Sequence, residues 1–260
     1  MINSASNEKI KHIRLLMEKA RARREEGLFV AEGIRLIREI PEDDIMEIFV
    51  AESFKGDIPF KGRKEIVSDQ LFKKISDTMN PQGVLAVAAM REYRPEDVLT
   101  DKALILMLED IQDPGNMGTM FRTAEAAGVS GLILLGDCVD VYSPKVVRAA
   151  MGALFRLPFI KTVEDVPALL ERLKKEDITV YAAAPAVDGI YTDNDYSKAS
   201  AFLIGNEGNG LKASTIEAVK ASGGKAVSIP MAGKTESLNA AVSAAVLMYE
   251  AARQRRSVIH

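Results

Sequence analysis

The sequence predicts an α/β protein in two parts, a small N-terminal α/β unit and a larger C-terminal unit built on a parallel sheet. Three observations predict it. From residue 103 to residue 253, short apolar runs alternate with longer stretches at helical spacing, the pattern of a sheet covered on both faces by helices. A charged segment at 91–102, holding Pro95 and few apolar positions, separates this run from a shorter set of elements before it, which divides the chain into 1–95, a linker at 96–102 and 103–260. Hydrophobic residues make up 47% and charged residues 27% of the 260, a composition that buries a core and stays folded.

The elements follow in order. Residues 6–25 place Ile10, Ile13, Leu16, Met17 and Ala20 at helical spacing, with Ser6 as cap and Gly27 as stop, and predict one helix. A strand at 28–31 follows, then a helix over 33–40 that Pro41 ends. The apolar run 45–51 predicts a buried strand, 71–76 a short helix and 83–89 a strand. In the second part, 103–108 is apolar throughout, as a strand buried on both faces requires. After it come a helix at 117–127, a strand at 131–135, and a helix at 144–155 opened by Pro144. A helix at 163–175, strands at 179–183 and 201–204, a helix at 211–221, a strand at 226–229 and a final helix at 237–253 complete the alternation. That final helix spreads Leu238, Val242, Val246, Leu247, Met248 and several alanines over most of its circumference, which predicts burial on all sides, in the core or at a subunit interface.

Composition excludes several classes. Net charge is −3, so overall charge does not mark a nucleic-acid binder. Residues 1–24 nevertheless hold seven Lys or Arg against two Glu, a local charge of +5 that suits either a solvated helix face or phosphate contacts. The one cysteine, Cys138, rules out an intramolecular disulfide and, with no signal peptide evident, points to the cytoplasm. No apolar run reaches membrane-span length, and one cysteine with two histidines leaves little for a metal site.

Three loops carry the chemistry. QDPGNMGTMFR (112–122) joins a buried strand to a helix, with Pro114 and Gly115 as a turn, Asn116 as candidate cap, Gly118 for close approach and Arg122 in the second turn. IGNEGNGL (204–211) packs Gly205, Gly208 and Gly210 around Glu207, and implies exposed main-chain amides that suit a ligand's polar edge. Its G-x-x-G-x-G spacing is not the dinucleotide fingerprint, which argues against a nucleotide-dependent oxidoreductase. IPMAGKTESLN (229–239) runs from a strand ended by Pro230 into the final helix, with Ser237 and Asn239 as polar side chains and Thr235 or Ser237 as cap. Each loop alone reads as a turn or a capped helix start. At the carboxyl ends of three strands, they converge on one crevice.

DPGNMGTMFRTAEAAG, FLIGNEGNGL and SIPMAGKTESLNAAVSAA resemble, in order and spacing, the three motifs of the SpoU (TrmH) family of RNA ribose methyltransferases, in the SPOUT superfamily. The resemblance spans residues 103–253. The N-terminal unit more loosely resembles the substrate-recognition domain of ribosomal-RNA members, which is similar to some ribosomal proteins. The resemblance implies a trefoil knot, a homodimer with its site near the interface, and S-adenosyl-L-methionine as cofactor. It implies that the backbone around Gly205, Asn206, Ile229 and Leu238 holds the cofactor, with Met231 and Leu211 as apolar walls. It places Arg122 at the proton-removal step, with Asn116, Glu207, Ser237 and Asn239 around it. An arginine is nearly always protonated and has no acceptor, so two roles stay open. Either Arg122 is transiently deprotonated, or it holds the RNA phosphate and stabilises the developing oxyanion while another group takes the proton. Glu207 orients Arg122 or Asn116 rather than acting as the base. Arg148 matches a position that contacts RNA, or is a plain surface residue. The implied partner is RNA, large-subunit ribosomal RNA in preference to transfer RNA. A catalytically silent ribosome-assembly factor is the rival reading. No metal or membrane is implied.

Overall fold

The computed structural model describes residues 1–58, 60–185, 187 and 189–257. The chain runs α1 (Glu8–Glu18), α2 (Ala20–Glu26), β1 (Leu28–Glu32), α3 (Ile34–Ile37), β2 (Ile45–Ala51), β3 (Lys64–Val67), α4 (Asp69–Ile75), β4 (Val84–Ala89) and α5 (Pro95–Val98). It continues through β5 (Leu104–Glu109), α6 (Pro114–Ala127), β6 (Gly131–Leu135), α7 (Pro144–Ala150), α8 (Ala153–Arg156), β7 (Phe159–Lys161) and α9 (Val166–Lys175). Last come β8 (Thr179–Ala183), β9 (Ser200–Ile204), α10 (Ala213–Ala221), β10 (Lys225–Val227) and α11 (Ala240–Ser257). Two compact units result, 1–91 with 140–155, and 92–139 with 156–257. The expected division at 96–102 therefore needs correction: 92–102 belongs to the second unit, and 140–155 returns to the first.

The first unit holds a four-stranded sheet in the order β1-β4-β2-β3. Only β2 and β3 run parallel; both neighbours of β4 are antiparallel to it. Ile10, Ile13 and Leu16 of α1 are fully buried with Leu71, Phe72 and Ile75 of α4 in one apolar cluster over this sheet.

The expected helix 6–25 is two helices. Asn7, not Ser6, caps α1 by accepting the N–H of Lys9. Lys19 adopts an extended conformation (φ −115°, ψ 107°) and breaks the run. The break strips the carbonyls of Leu16 and Met17 of their helical partners, and Arg23 Nη1 donates to both, at 2.5 and 3.1 Å. Arg23 is 3% exposed, and its Nε and Nη2 both donate to Asp140 Oδ2, at 2.8 and 2.6 Å. The segment 140–155 also places Tyr142 and Phe155 against Phe29, with ring centroids 4.9 and 5.8 Å away. The expected helix 144–155 is interrupted where Met151 takes a positive φ (53°). Arg148 pairs with Asp77 at 3.0 Å.

The second unit holds six strands, all parallel, in the order β10-β8-β9-β5-β6-β7. Sequence reading missed the short strands β3 and β7. Ile105 and Met107 of β5 point into a cluster with Leu169, Leu170 and Leu173 of α9 and Val219 of α10. The alternate residues Leu104, Leu106 and Leu108 are equally buried, on the side where α6 packs against α11. Both faces of the central strand are thus dry, as its unbroken apolar sequence requires. α9 starts at Val166 behind its cap Asp165, three residues later than expected.

The final helix is not buried all round. Ala241, Ala244, Leu247, Met248 and Ala251 are buried, but Val242 is 48% and Tyr249 46% exposed. Its last turn is clamped by Arg255, which donates to the carbonyls of Tyr196 (2.9 Å), Lys102 (2.7 Å), Ala103 (3.0 Å) and Lys198 (2.7 Å).

Candidate active site

Ligands of open parallel sheets bind beyond the carboxyl ends of the strands. At that end β5 finishes in two carboxylates. Glu109 is 3% exposed, and accepts from Thr215 Oγ1 at 2.6 Å and from the Lys212 N–H at 3.2 Å, which ties β5 to the start of α10. Asp110 leaves the strand at φ 54°, a conformation uncommon outside glycine. Its Oδ1 accepts the N–H of Asp137 at 2.7 Å, its Oδ2 pairs with Lys212 Nζ at 2.6 Å, and its carbonyl accepts Asn206 Nδ2 at 2.8 Å. The Lys212 ammonium, with the Asp137 amide, holds the Asp110 carboxyl below the usual range. One residue thereby fixes the loops after β5, β6 and β9. None of Glu109, Asp110, Lys212 or Thr215 was expected. The signal was available: a Glu-Asp pair closing an apolar strand cannot be buried without partners.

The first loop starts α6 earlier than expected. Asp113 is the cap and accepts the N–H of Asn116 at 2.7 Å; Pro114 fills the first turn. Asn116 is thus inside the helix and its side chain is free to point elsewhere. Its Nδ2 donates to Glu207 Oε1 at 3.1 Å, and its Oδ1 accepts Asn239 Nδ2 at 3.0 Å. Asn239 Oδ1 in turn accepts the N–H of Ala241 and Val242 at the start of α11. The polarity is self-consistent. An ionised carboxylate only accepts, so Asn116 must donate to it, which leaves the Asn116 oxygen for Asn239 and the Asn239 oxygen for the helix amides. Glu207 also accepts the N–H of Gln112 (3.2 Å) and Asp113 (3.1 Å). Three loops are joined through Glu207, Asn116 and Asn239.

Burial pushes the Glu207 carboxyl up, but hydrogen bonds from its own amide, from Asn116 and from the Gln112 and Asp113 amides outweigh it and leave it below the ordinary value. A carboxylate with a lowered pKa and this many donors is a poor proton acceptor; it is an organiser. The sign follows: a depressed folded value contributes stability that is present above the ordinary glutamate value of about 4.3 and is lost as pH falls through the folded value. Ligand affinity at these loops is expected to stay flat from neutral pH to about 5 and fall at more acid pH, while in Glu207→Gln that acid-dependent step shrinks to the part carried by Asp110; calorimetric titration across pH checks it.

The second loop doubles back. Asn206 and Gly210 form a bridge, with the Gly210 N–H on the Asn206 carbonyl at 2.9 Å. The Asn206 side chain is spent inside the loop, with Oδ1 accepting from Gly208 and Asn209 and Nδ2 on Asp110. It shapes the site and has only its main chain to offer a ligand. A Cβ at Gly205 would meet the Gly210 carbonyl carbon at 2.3 Å, so the loop closes only over glycine. Gly205→Ala is expected to weaken ligand binding at least tenfold with the fold retained, measured by calorimetry and thermal melting. Leu211 packs on the core beneath. Among the described residues, no main-chain group between Ile229 and Leu238 has a hydrogen-bond partner, so this third loop presents unspent amides and carbonyls beside half-buried Met231 and Leu238.

Two expected residues stand apart. Ser237 is exposed and makes no hydrogen bond among the described residues. Arg122 lies six residues beyond Asn116, about 120° away around the helix. It is exposed, has no hydrogen bond or ion pair among the described residues, and lines a shallow depression with Thr119, Thr123, Ala126 and Tyr249. Glu207 therefore orients Asn116 and not Arg122. No group of three or more metal-ligating side chains occurs among the described residues, and no described helix is long and apolar enough to cross a membrane.

A parallel sheet whose carboxyl-end loops combine unspent main-chain groups with an ionised organiser, and among the described residues no paired nucleophile and base, defines an α/β enzyme that holds and positions its ligands. Residues 103–249 match the SpoU rRNA Methylase family, and residues 7–86 match the MRM3-like substrate binding domain. The chain belongs to the SpoU rRNA methylase family. It is 32% identical over 252 residues, 95% of this chain and 97% of the relative, to the 23S rRNA (guanosine(2553)-2'-O)-methyltransferase RlmP of Bacillus subtilis (strain 168). It is 29% identical to the human mitochondrial rRNA methyltransferase 3, covering 90% of this chain and 69% of that one. The SpoU methyltransferase AviRb from Streptomyces viridochromogenes, in complex with AdoMet, superposes with a TM-score of 0.83 at 27% identity, covering 96% of this chain and 99% of that one.

Proposed function

We propose that this chain is an RNA 2′-O-ribose methyltransferase that uses S-adenosyl-L-methionine and acts on large-subunit ribosomal RNA. The observation that carries the reading is the Glu207–Asn116–Asn239 relay, which draws the three family motifs into one site. The names of the relatives support the substrate: RlmP is a 23S rRNA 2'-O-methyltransferase, and both it and this chain carry the N-terminal unit within the matched length.

The residues fit the cofactor. Unspent main-chain groups between Ile229 and Leu238, and the backbone at Gly205, read an adenine edge without a dedicated side chain, and Met231 and Leu211 supply apolar walls. When bound, S-adenosylmethionine supplies a methyl group already activated by its sulfonium. The chain then has to align the ribose oxygen and accommodate its developing charge. Glu207 holds Asn116, and Asn116 and Asn239 fix the floor on which the ribose sits. Ser237 contacts the RNA. Arg122 holds a phosphate and stabilises the oxyanion, with the proton leaving to water. A single chain does not bring Arg122 to the relay. We place a second copy against the surface around Arg122, Val242 and Tyr249, giving a homodimer whose site draws on both copies. In the second unit we read a trefoil knot, supported by the insertion of β9 between β8 and β5 and by the return of α11 to α6 and β9. The first unit serves substrate recognition on a fold similar to some ribosomal proteins, and the lone buried thiol of Cys138 suits the cytoplasm.

Incubation with labelled cofactor and total RNA, followed by mapping of the modified position through its resistance to alkaline cleavage, tests the reading. Label on one ribose of the large-subunit RNA is expected. Label on a base would overturn the reaction class.

A further inference from the structure

We propose that the first unit carries a pocket for a single unpaired nucleotide of the RNA substrate, formed where the chain leaves β2 and enters β4. It rests on the reading that this chain acts on RNA, and names where a base of that RNA is read. A depression of about 350 Å³ is walled by Phe54, Lys55, Lys73, Pro81 and Gln82, with Asp69 at its edge. That volume is at the small end of ligand pockets, which run from about 300 to 1,000 Å³.

Each wall has a chemistry. Phe54 is half-buried: it packs on the apolar cluster of the unit, and what remains uncovered lines the depression. The turn that follows hugs its ring, since a Cβ on Gly56 would sit 2.4 Å from Phe54 Cζ. Gln82 is held by its oxygen, which accepts the Ile34 N–H at 3.1 Å; its amide nitrogen has no partner among the described residues and is left to donate. Lys55 and Lys73 are exposed and form no ion pair among the described residues. The carboxylate of the lining, Asp69, accepts the N–H and hydroxyl of Ser53 on Oδ1 at 3.0 and 2.9 Å, and the nearby Lys73 ammonium helps hold its carboxyl below the ordinary value.

An aromatic ring, an oriented amide donor and two exposed ammonium groups around one small depression suit one ligand chemistry. A base stacks on Phe54, its carbonyl edge takes the Gln82 amide, and the flanking phosphates meet Lys55 and Lys73. A duplex cannot present a base this way, so the pocket selects a loop, bulge or end. The basic segment 1–24, which spans α1 and most of α2, is less well equipped to hold RNA. Lys9, Lys11, Arg21 and Arg23 are already paired with carboxylates, which leaves Arg14, Lys19 and Arg24.

The test uses the full-length protein and a short fluorescein-labelled single-stranded RNA of mixed sequence, read by anisotropy, alongside methyl-transfer kinetics on ribosomal RNA. The double variant Lys55→Glu/Lys73→Glu is expected to bind the strand more than tenfold more weakly. Its log affinity should also fall less steeply with log salt, by about 1.4 in slope for two lost phosphate contacts on a single strand. Phe54→Leu should lose about tenfold and Phe54→Tyr should retain wild-type affinity, because tyrosine keeps the π-face. In the kinetics the double variant and Phe54→Leu should raise KM for RNA, Phe54→Tyr should not, and kcat at saturating RNA should stay unchanged in all three. Wild-type affinity and salt slope in the double variant would overturn the pocket. So would wild-type protein that methylates ribosomal RNA yet does not bind the strand, and the methyltransferase reading would then stand. Strand binding that depends on Phe54 and the two lysines in a protein that methylates no RNA would support the pocket and sink the activity instead.

Discussion

Replacing Arg122 with alanine is expected to lower kcat for methyl transfer by about 10²–10³-fold, the usual loss when one group stabilising a developing oxyanion is removed. Cofactor affinity should change less than twofold, because Arg122 touches neither of the two loops, at Gly205 and at 229–238, that present main-chain groups to the cofactor. Arg122→Lys discriminates between roles. A lysine keeps a point charge for a phosphate but loses the planar fork, so it should restore RNA affinity and only part of kcat. Near-normal turnover in Arg122→Lys would exclude any step that needs the guanidinium. Mixing decides which copy supplies the arginine. If Arg122 acts across a dimer, Arg122→Ala chains combined with Gly205→Ala chains form mixed dimers with one intact composite site. At a cofactor concentration too low to load Gly205→Ala, such a mixture should regain about a quarter of wild-type turnover from two parents of low activity. No recovery in a demonstrated mixed dimer would mean that Arg122 serves the site of its own chain.

The second large effect concerns stability. Arg23→Ala is expected to destabilise the first unit by about 3–5 kcal/mol, seen as an early transition in urea followed by far-UV circular dichroism. Breaking a buried pair costs this much because the other charge stays buried without a partner. Here the loss is compounded: Asp140 keeps a carboxylate that is 18% exposed, and the carbonyls of Leu16 and Met17 lose their donor at the helix break. Arg23→Ala/Asp140→Ala should recover part of the loss, since the orphaned charge is gone. Full additivity of the two single changes would mean that the pair is not coupled.

Residues whose environment is local were legible in the sequence. The strand at β5 was read from an unbroken apolar run, and the loops at its end from turn chemistry. What escaped reading depends on residues far away in the chain. Lys19 is a good helix former, and nothing beside it marks a break; the break is stabilised by a side chain whose own partner is Asp140. β3 has four residues and buries only Val67, and β7 has three, so neither carries a period strong enough to notice. Asn116 was read as a helix cap because it precedes the apolar positions, and Asp113, three residues earlier, holds that role. Asn116, Glu207 and Asn239 were readable one by one, but their hydrogen-bond order was not, and Glu109, Asp110, Lys212 and Thr215 escaped reading altogether. That Glu207 grips Asn116 while Arg122 faces away follows from a helical angle and from two loops meeting across 91 residues of chain.

The first unit is discontinuous, and its completion has a timetable. Residues 1–91 emerge from the ribosome while Asp140, Tyr142 and Phe155 have yet to be made. At about 5–20 residues per second, roughly 2–10 s pass before the counter-charge for Arg23 exists, and longer before the rings that cover Phe29 arrive. During that interval the nascent chain exposes a cation and an aromatic ring that the finished protein hides. Nascent chains stalled before residue 140 should therefore bind a holdase chaperone more tightly than those stalled beyond residue 155.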